Sequence, residues 1–213
     1  MLILAAAIQR FRDFYDVGLT FLDEERRAKT LRYCYEDDRL HSLCAGLLLH
    51  KYVGHTPCQI GSFGKPYCQG GPCFSISHAG DYTIVAIHDE QVGVDIEPLR
   101  NFEPNVAKAI CQEPELNWLY EDEPDLRFYQ IWTRKESIMK ACGHGLVLPA
   151  ASFSVLPLEA ERLWLDDTSY GIQTIAFRKH IISAAVKDGK ADFTLIETLP
   201  DDLLGASFPA GKS

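Results

Sequence analysis

Asp95 and Glu97 stand two residues apart at the end of the apolar run Val92-Gly93-Val94. Strand side chains alternate, so both carboxylates project to one face while Ile96 takes the other. Two such charges repel unless water or a cation lies between them, and a hard ion such as Mg²⁺ takes one or two carboxylates together with phosphate oxygens and water. A solvated turn and a cation site both accommodate the pair. The second constellation is Trp132-Thr133-Arg134-Lys135-Glu136-Ser137-Ile138-Met139-Lys140. Glu136 and Lys140, four apart, share a helix face and could form an ordinary ion pair worth a few tenths of a kcal/mol. Yet Glu136 falls in the same stripe as Trp132 and Met139, where a bare charge is costly to bury. A role as third metal-directed carboxylate would remove that cost.

Cationic residues form a third set. Gly64-Lys65-Pro66 puts a lysine in extended backbone, because the residue before proline is pushed away from helix. His78 ends the run Phe74-Ser75-Ile76-Ser77, and Arg26, Arg27, Lys29 and Arg32 make a basic helix face. Taken singly, these are surface cations and a turn histidine. Together they would give an acidic protein the local positive field that a polyanionic ligand needs.

These residues must be positioned by elements of mixed type. Met1 to Ile8 reads as a buried strand, followed by a helix capped by Asp23 and running to about Tyr33. Leu40, Leu43, Cys44, Leu47 and Leu48 recur at helical steps within a second helix, Asp37 to Tyr52. Gly54 to Pro72 reads as irregular loop. Strands are expected at Phe74–Ser77, Tyr82–His88 and Gln91–Glu97, with Pro98 ending the ladder. Helices follow at Pro104–Ile110, Pro114–Tyr120 and Asp125–Ala141, the last capped by Gly143. Ser152–Leu156, Arg162–Leu165, Ile172–Phe177, Ile181–Val186 and Phe193–Leu199 read as strands, and a frayed tail is expected from Pro200. Helices then strands therefore occur twice, on either side of about Pro98. The fold class is α+β, arranged as two similar α/β halves, residues 1–98 and 99–200, with 201–213 a flexible tail.

Composition narrows the function classes. The chain has 213 residues, 46% of them apolar, and carries 21 Lys plus Arg against 30 Asp plus Glu, a formal charge of −9. A packed core is affordable, and sequence-independent nucleic-acid binding, which needs a net basic face, is disfavoured. The apolar start closes too soon at Gln9-Arg10 for a signal or a membrane span, so no membrane association is expected. Seven cysteines, an odd number with no C-x-x-C pair, read as separate thiols in a reducing cytosol.

In order and spacing these blocks resemble the 4′-phosphopantetheinyl transferases of the surfactin-synthetase-activating type. The resemblance rests on Gly64-Lys65-Pro66 with Phe74 to His78, on Val92 to Glu97, and on Trp132 to Lys140 continuing into Gly143-His144-Gly145-Leu146. Asp38 to Leu43 and Phe153-Ser154-Val155 also fit, so the similarity spans about Leu22 to Val186. It implies a cytoplasmic monomer of two pseudo-twofold-related halves, with coenzyme A and Mg²⁺ in the cleft between them. The implied reaction moves the phosphopantetheine arm to a serine of an apo acyl or peptidyl carrier protein, in fatty-acid, polyketide or nonribosomal-peptide synthesis, and releases adenosine 3′,5′-bisphosphate. By the same resemblance Asp95, Glu97 and Glu136 are metal ligands, with Glu136 also the base and Glu115 a further acid near the metal. Lys135 and Lys140 clamp the diphosphate, and Lys65 and His78 meet the 3′-phosphate end. His41 and His144 stand where the family commonly has Arg and Lys, replacing permanent charges in coenzyme A binding by titratable ones. Two other classes compete: a non-catalytic paralogue that binds coenzyme A or a carrier protein and regulates, and another Mg²⁺-dependent phosphoryl enzyme such as a phosphohydrolase.

Overall fold

The computed structural model describes residues 1–54, 58–61, 63–143 and 147–205. Its first strand, β1 (Leu2–Ala7), leads through a 3₁₀ turn at Ile8–Phe14 into α1 (Tyr15–Thr20), α2 (Glu24–Arg32) and α3 (Glu36–Tyr52). A short hairpin, β2 (Cys58–Ile60) and β3 (Pro66–Cys68), precedes β4 (Cys73–Ala79), β5 (Tyr82–His88) and β6 (Val92–Pro98). Then come α4 (Pro104–Ile110), α5 (Glu113–Glu121) and α6 (Pro124–Cys142), followed by β7 (Arg162–Leu165), β8 (Thr168–Phe177), β9 (His180–Lys187), β10 (Thr194–Thr198) and α7 (Pro200–Leu204).

Two four-stranded sheets result, ordered β10-β1-β5-β4 and β6-β9-β8-β7. Alternation along the strands gives each sheet two apolar faces. Ile3, Ala5 and Ile84 of the first sheet meet Val92, Val94, Ile96, Ile182 and Ala184 of the second in a fully buried layer between them. On the outer face of the first sheet lie the leucines of α3, packed on Leu4, Phe74 and Val85. On that of the second lies α6, whose Ile131, Ile138 and Met139 pack with Ile172, Ile181 and Ala185. The order of layers is helix, sheet, sheet, helix, which is the α+β class expected. Leu40 to Leu49 of α3 are buried without interruption, because α1, α2 and α7 cover the sides that the sheet does not.

Several elements differ from the sequence reading. β10 adds to the first sheet parallel to β1, with Leu2 opposite Thr194, so the sheet of the first half takes its edge strand from the far end of the chain. Ser152–Leu156 is not a strand. Its first residue ends a 3₁₀ turn, Ala150–Ser152, and the rest runs extended without a ladder into a cis Leu156–Pro157 bond. The glycine-rich loop contains β2 and β3, and the chain from Pro200 begins with α7, covered by the core through Leu203 and Leu204.

One contact brings the two chemical blocks together. Gly93 lies so close beneath α6 that a Cβ there would stand 1.9 Å from the Ser137 carbonyl oxygen and 2.4 Å from the Ala141 nitrogen. Neither backbone group can move without breaking the helix. Gly93→Ala is therefore expected to cost about 3 kcal/mol or more in chemical denaturation. Gly18→Ala, whose new methyl would meet only flexible side-chain ends, Leu43 at 3.1 and 3.2 Å and Leu47 at 3.4 Å, is expected to change stability by less than about 1 kcal/mol.

Candidate active site

The neighbouring edges of the two sheets, β4 and β6, form a seam held by side chains. Ser75 Oγ accepts from the Val94 backbone N–H at 3.1 Å, and Ser77 Oγ donates to Asp95 Oδ1 at 2.8 Å. These serines alternate with Phe74 and Ile76, which face α3, so strand alternation alone aims the hydroxyls at β6. On β6, Gly93, Asp95 and Glu97 share the face turned toward α6. Asp95 is 4% exposed and receives the Lys140 ammonium at 2.6 Å, while Lys140 also donates to Ser77 Oγ at 3.0 Å. Trp132 Nε1 donates to Glu97 Oε1 at 3.2 Å. A cavity of about 310 Å³ is lined by Ser77, His78, Asp95, Glu97, Trp132, Glu136 and Lys140.

The electrostatics are those of crowded acids. Burial first and the Asp95 charge second push the Glu97 carboxyl above its ordinary range, partly offset by the Trp132 N–H. Glu136 is raised for the same two reasons, with Lys140 opposing. Asp95 Oδ2 is buried and has no hydrogen-bond partner among the described residues. As the side chains stand, no three acid, histidine or cysteine groups among the described residues converge tightly enough to enclose an ion. The donor set nevertheless fits a hard divalent cation: three oxygen ligands, two of them destabilised as anions by the third, and one carboxylate oxygen left without a partner.

A second cavity, of about 570 Å³, shares Ile76 and His78 with the first and extends between α2, α3 and the β2–β3 hairpin. Arg26 and Lys29 line it. Asp23 fixes the start of α2 by accepting from the Arg26 backbone N–H at 2.8 Å, as the sequence reading expected. Arg26 Nη2 donates to the Ser42 carbonyl at 3.4 Å, but its Nε is buried without a partner among the described residues. Burial lowers the pKa of Arg26, and burial followed by the Arg26 charge lowers that of Lys29. Arg26, half-buried with an unpartnered Nε, is a cation short of solvation beside an empty volume, and the exposed Lys29 adds a second positive charge at the same wall, a setting that suits an anion. The signal for them was the basic face of α2, which by itself could not say which of its four cations turns inward.

His78 stands where the cavities meet. Its ring stacks on His41 with centroids 4.7 Å apart, and His41 Nδ1 shares a hydrogen bond with the Thr83 hydroxyl at 2.8 Å. Burial, then the neighbouring His78, pushes His41 down to about 4, so it is a neutral ring at physiological pH. His78 is lowered by burial and then by the Lys140 charge. His144 lies outside the described residues.

Three expected site residues are placed elsewhere. Lys135 and Glu115 are both 0% exposed and form an ion pair at 2.8 Å. Lys135 also donates to the Ala150 and Phe153 carbonyls, while Glu115 accepts from the Gln112 and Val155 backbone N–H groups. This satisfied cluster lies on the side of α6 away from the cleft and ties α5 and the 150–155 segment to it. The expectations of Lys135 on a diphosphate and Glu115 near a metal therefore give way to a structural pair, since neither can leave without stranding the other's charge. Lys65, expected at the 3′-phosphate end, turns instead across the seam. Its ammonium donates to Gln91 Oε1 and the Val92 carbonyl, each at 3.0 Å, and to the Ala141 carbonyl at 3.5 Å. Its neighbours Gly64 and Pro66 are the residues that line the larger cavity.

Two expectations test these assignments. Lys135→Met should lose about 3–5 kcal/mol of stability, because it leaves Glu115 charged and buried, and Lys135→Met with Glu115→Leu should recover much of the loss; urea denaturation measures both. A carboxyl held above its ordinary value binds protons in the folded state that the unfolded chain has released, so its contribution makes stability fall as pH rises through that interval. Glu136→Gln should accordingly raise the Tm of metal-free protein near pH ~7 and leave it unchanged below about pH 4. A calorimetric pH series with chelator present reads the difference.

Comparisons with known proteins identify the chain's relatives. Residues 91–193, which hold β6, α6 and the whole second sheet, match the model of the 4′-phosphopantetheinyl transferase superfamily. A 4′-phosphopantetheinyl transferase of Bacillus subtilis is 33% identical over 153 residues, covering 66% of this chain and 68% of its own. The transferase gsp of Aneurinibacillus migulanus is 28% identical over 170 residues, 75% of this chain and 67% of its own, and AcpT of Salmonella typhimurium is 32% identical over 143 residues, 62% and 74%. With a cleft built from Asp95, Glu97, Glu136 and Lys140 and relatives of this kind along most of its length, the chain belongs to the 4′-phosphopantetheinyl transferase superfamily.

Proposed function

We propose that this enzyme transfers the 4′-phosphopantetheine arm of coenzyme A to a serine hydroxyl of an apo acyl or peptidyl carrier protein, with release of adenosine 3′,5′-bisphosphate. The observation that carries the reading is a pair of adjoining cavities that share Ile76 and His78, with Arg26 and Lys29 lining one and crowded carboxylates beside a lysine lining the other. Coenzyme A has the same division: a phosphorylated nucleoside at one end and the reacting diphosphate in the middle. Arg26 and Lys29 are the groups suited to the 3′-phosphate, with His78 at the junction.

Asp95, Glu97 and Glu136 would hold Mg²⁺, which when bound neutralises charge on the diphosphate. Lys140 supplies a further positive charge to the same group, for which its present contact with Asp95 leaves it well placed. The serine oxygen forms a bond to the pantetheine-bearing phosphorus as the bond from that phosphorus to the bridging oxygen breaks. The serine proton passes to Glu136, directly or through water, and the nucleotide leaves as the bisphosphate. A carboxyl held above its ordinary range is better matched to accepting that proton than a solvated one. No covalent enzyme intermediate is needed.

The enzyme is read as a cytoplasmic monomer acting on a diffusing carrier; separately, no helix of the described residues is long and apolar enough to cross a membrane. The test is incubation with coenzyme A, Mg²⁺ and apo carrier protein, weighing the carrier by mass spectrometry. A gain of one phosphopantetheinyl group is expected, lost on chelation and reduced at least about 100-fold in Asp95→Ala and Glu136→Gln. Coenzyme A binding without transfer would identify a regulatory paralogue, and cleavage of coenzyme A without carrier modification a hydrolase.

A further inference from the structure

The β2–β3 hairpin sets two cysteines directly across from each other. Cys58 pairs with Cys68 in the antiparallel register, Gln59 with Tyr67 and Ile60 with Pro66. Beyond the ends of the strands, the Gly61 N–H donates to the Lys65 carbonyl at 2.9 Å, which makes Gly61–Lys65 a hydrogen-bonded pair. Bonded and non-bonded pairs alternate along an antiparallel ladder. Ile60–Pro66 is therefore non-bonded, as suits a residue without an N–H, Gln59–Tyr67 is bonded, and Cys58–Cys68 is again non-bonded. At such positions the Cα atoms stand closest, about 4.5 Å apart, inside the span a disulfide tolerates. The two sulfurs are already in contact at 2.8 Å.

We propose that Cys58 and Cys68 are a modification site: a cross-strand disulfide closed by exchange with a low-molecular-weight disulfide, whose accessible sulfur is in the wall of the nucleotide cavity. Cys68 is buried in the first core, whereas Cys58 is half-buried and lines the larger cavity together with Ile60, Gly64 and Pro66. Attack therefore starts at Cys58. Its sulfur, having given up a proton, displaces one thiol from the small disulfide and forms a mixed disulfide. Cys68, losing its own proton, then displaces the second thiol. One S–S bond breaks and one forms; the protein gives up two electrons and two protons, and the small disulfide becomes two thiols. Burial first and the neighbouring Cys68 second push the Cys58 thiol up to about 12, so the pair rests as thiols and the exchange is slow at neutral pH and faster as pH rises.

The bond would fix the base of a hairpin whose tip Lys65 already fastens to β6 and α6. Because the sulfurs need to approach by less than about an ångström, closure stiffens the cavity wall without reshaping it. Bound nucleotide should in turn cover Cys58, so that the empty enzyme oxidises faster than the occupied one. That last step rests on the function proposed above; formation of the bond does not.

The test treats the full chain with oxidised glutathione, quenches by alkylation and maps it without reduction after chymotrypsin, which separates the two cysteines at Phe63 and Tyr67. Expected are a loss of two hydrogens in the intact mass, a peptide pair joined through Cys58 and Cys68, and a Tm higher by several degrees, none of them in Cys58→Ser or Cys68→Ser and all of them in Cys34→Ser. Glutathione remaining on Cys58, a link through Cys73 or the exposed Cys34, or no link at all would overturn the proposal. Saturating adenosine 3′,5′-bisphosphate, which has no thiol of its own, should slow closure several-fold. Closure at an unchanged rate with that nucleotide would keep the disulfide and remove the nucleotide from this cavity.

Discussion

Gly93 lets the backbone of α6 lie directly on β6, and the chemistry of the cleft follows from that approach. With a side chain in between, Glu136 and Lys140 would stand a layer farther from Asp95 and Glu97. The Lys140–Asp95 contact at 2.6 Å would then open, and the carboxylates would regain water. Desolvation and mutual repulsion, which raise Glu97 and Glu136, both depend on this closeness. The serines of β4 complete the arrangement from the other sheet. Ser77 gives Asp95 a proton donor and Lys140 an acceptor, so one hydroxyl joins the two layers to the helix. The site is thus a product of the seam and belongs to neither sheet alone.

Two lysines of α6 show how burial divides identical residues between framework and chemistry. Lys135 and Lys140 are five positions apart, which on a helix of 3.6 residues per turn sets them on clearly different sides. Lys135 meets a carboxylate and two carbonyls in a place closed to solvent, and its charge is consumed in holding α5 and the 150–155 segment. Lys140 has one acid and one hydroxyl as partners and keeps 27% of its side chain exposed, so of the two lysines it is the one that the cleft leaves accessible. Removing a partner from the first pair strands a buried charge on either side; in the second, Lys140 without Asp95 keeps its access to solvent, whereas Asp95 without Lys140 is left buried.

What the sequence made legible was periodicity. The alternation Val92 to Glu97 placed Asp95 and Glu97 on one face, and the stripe of α6 placed Glu136 among apolar residues, which identified it as a charge in need of a reason. Periodicity gives the face of a residue but not what lies opposite. The partner of Lys135 sits twenty positions back, where Glu115 also closes the capping box of α5, so its role could not be read from α6. The contacts of Lys65 were hidden for the same reason: its acceptors come from β6 and from the end of α6. β2 and β3, three residues each and flanked by glycine and proline, are too short to show a period, and the cysteine pairing that their register creates was hidden with them. β10 reads as a strand, yet only long-range pairing decides that it joins β1.

The chain carries a net charge of −9 and still builds a cavity fit for an anion, which is a matter of where charge is desolvated and not of how much there is. Most of the acids are solvated at the surface, where salt and water screen them over roughly 10 Å. Arg26 is partly stripped of water and its pKa is depressed by burial, the mark of a cation that an arriving phosphate would relieve, and the exposed Lys29 stands beside it. At the other end the deprived groups are anions, with Asp95 Oδ2 lacking any donor among the described residues. The two ends of the cleft are unsatisfied in opposite senses. A ligand with an anion at one end and a cation-bridged diphosphate at the other relieves both strains at once, whereas a reversed ligand relieves neither. On the function proposed above, the two cavities would set the direction in which the nucleotide lies before any base-specific contact is made, with the reacting phosphorus at the seam beside Glu136.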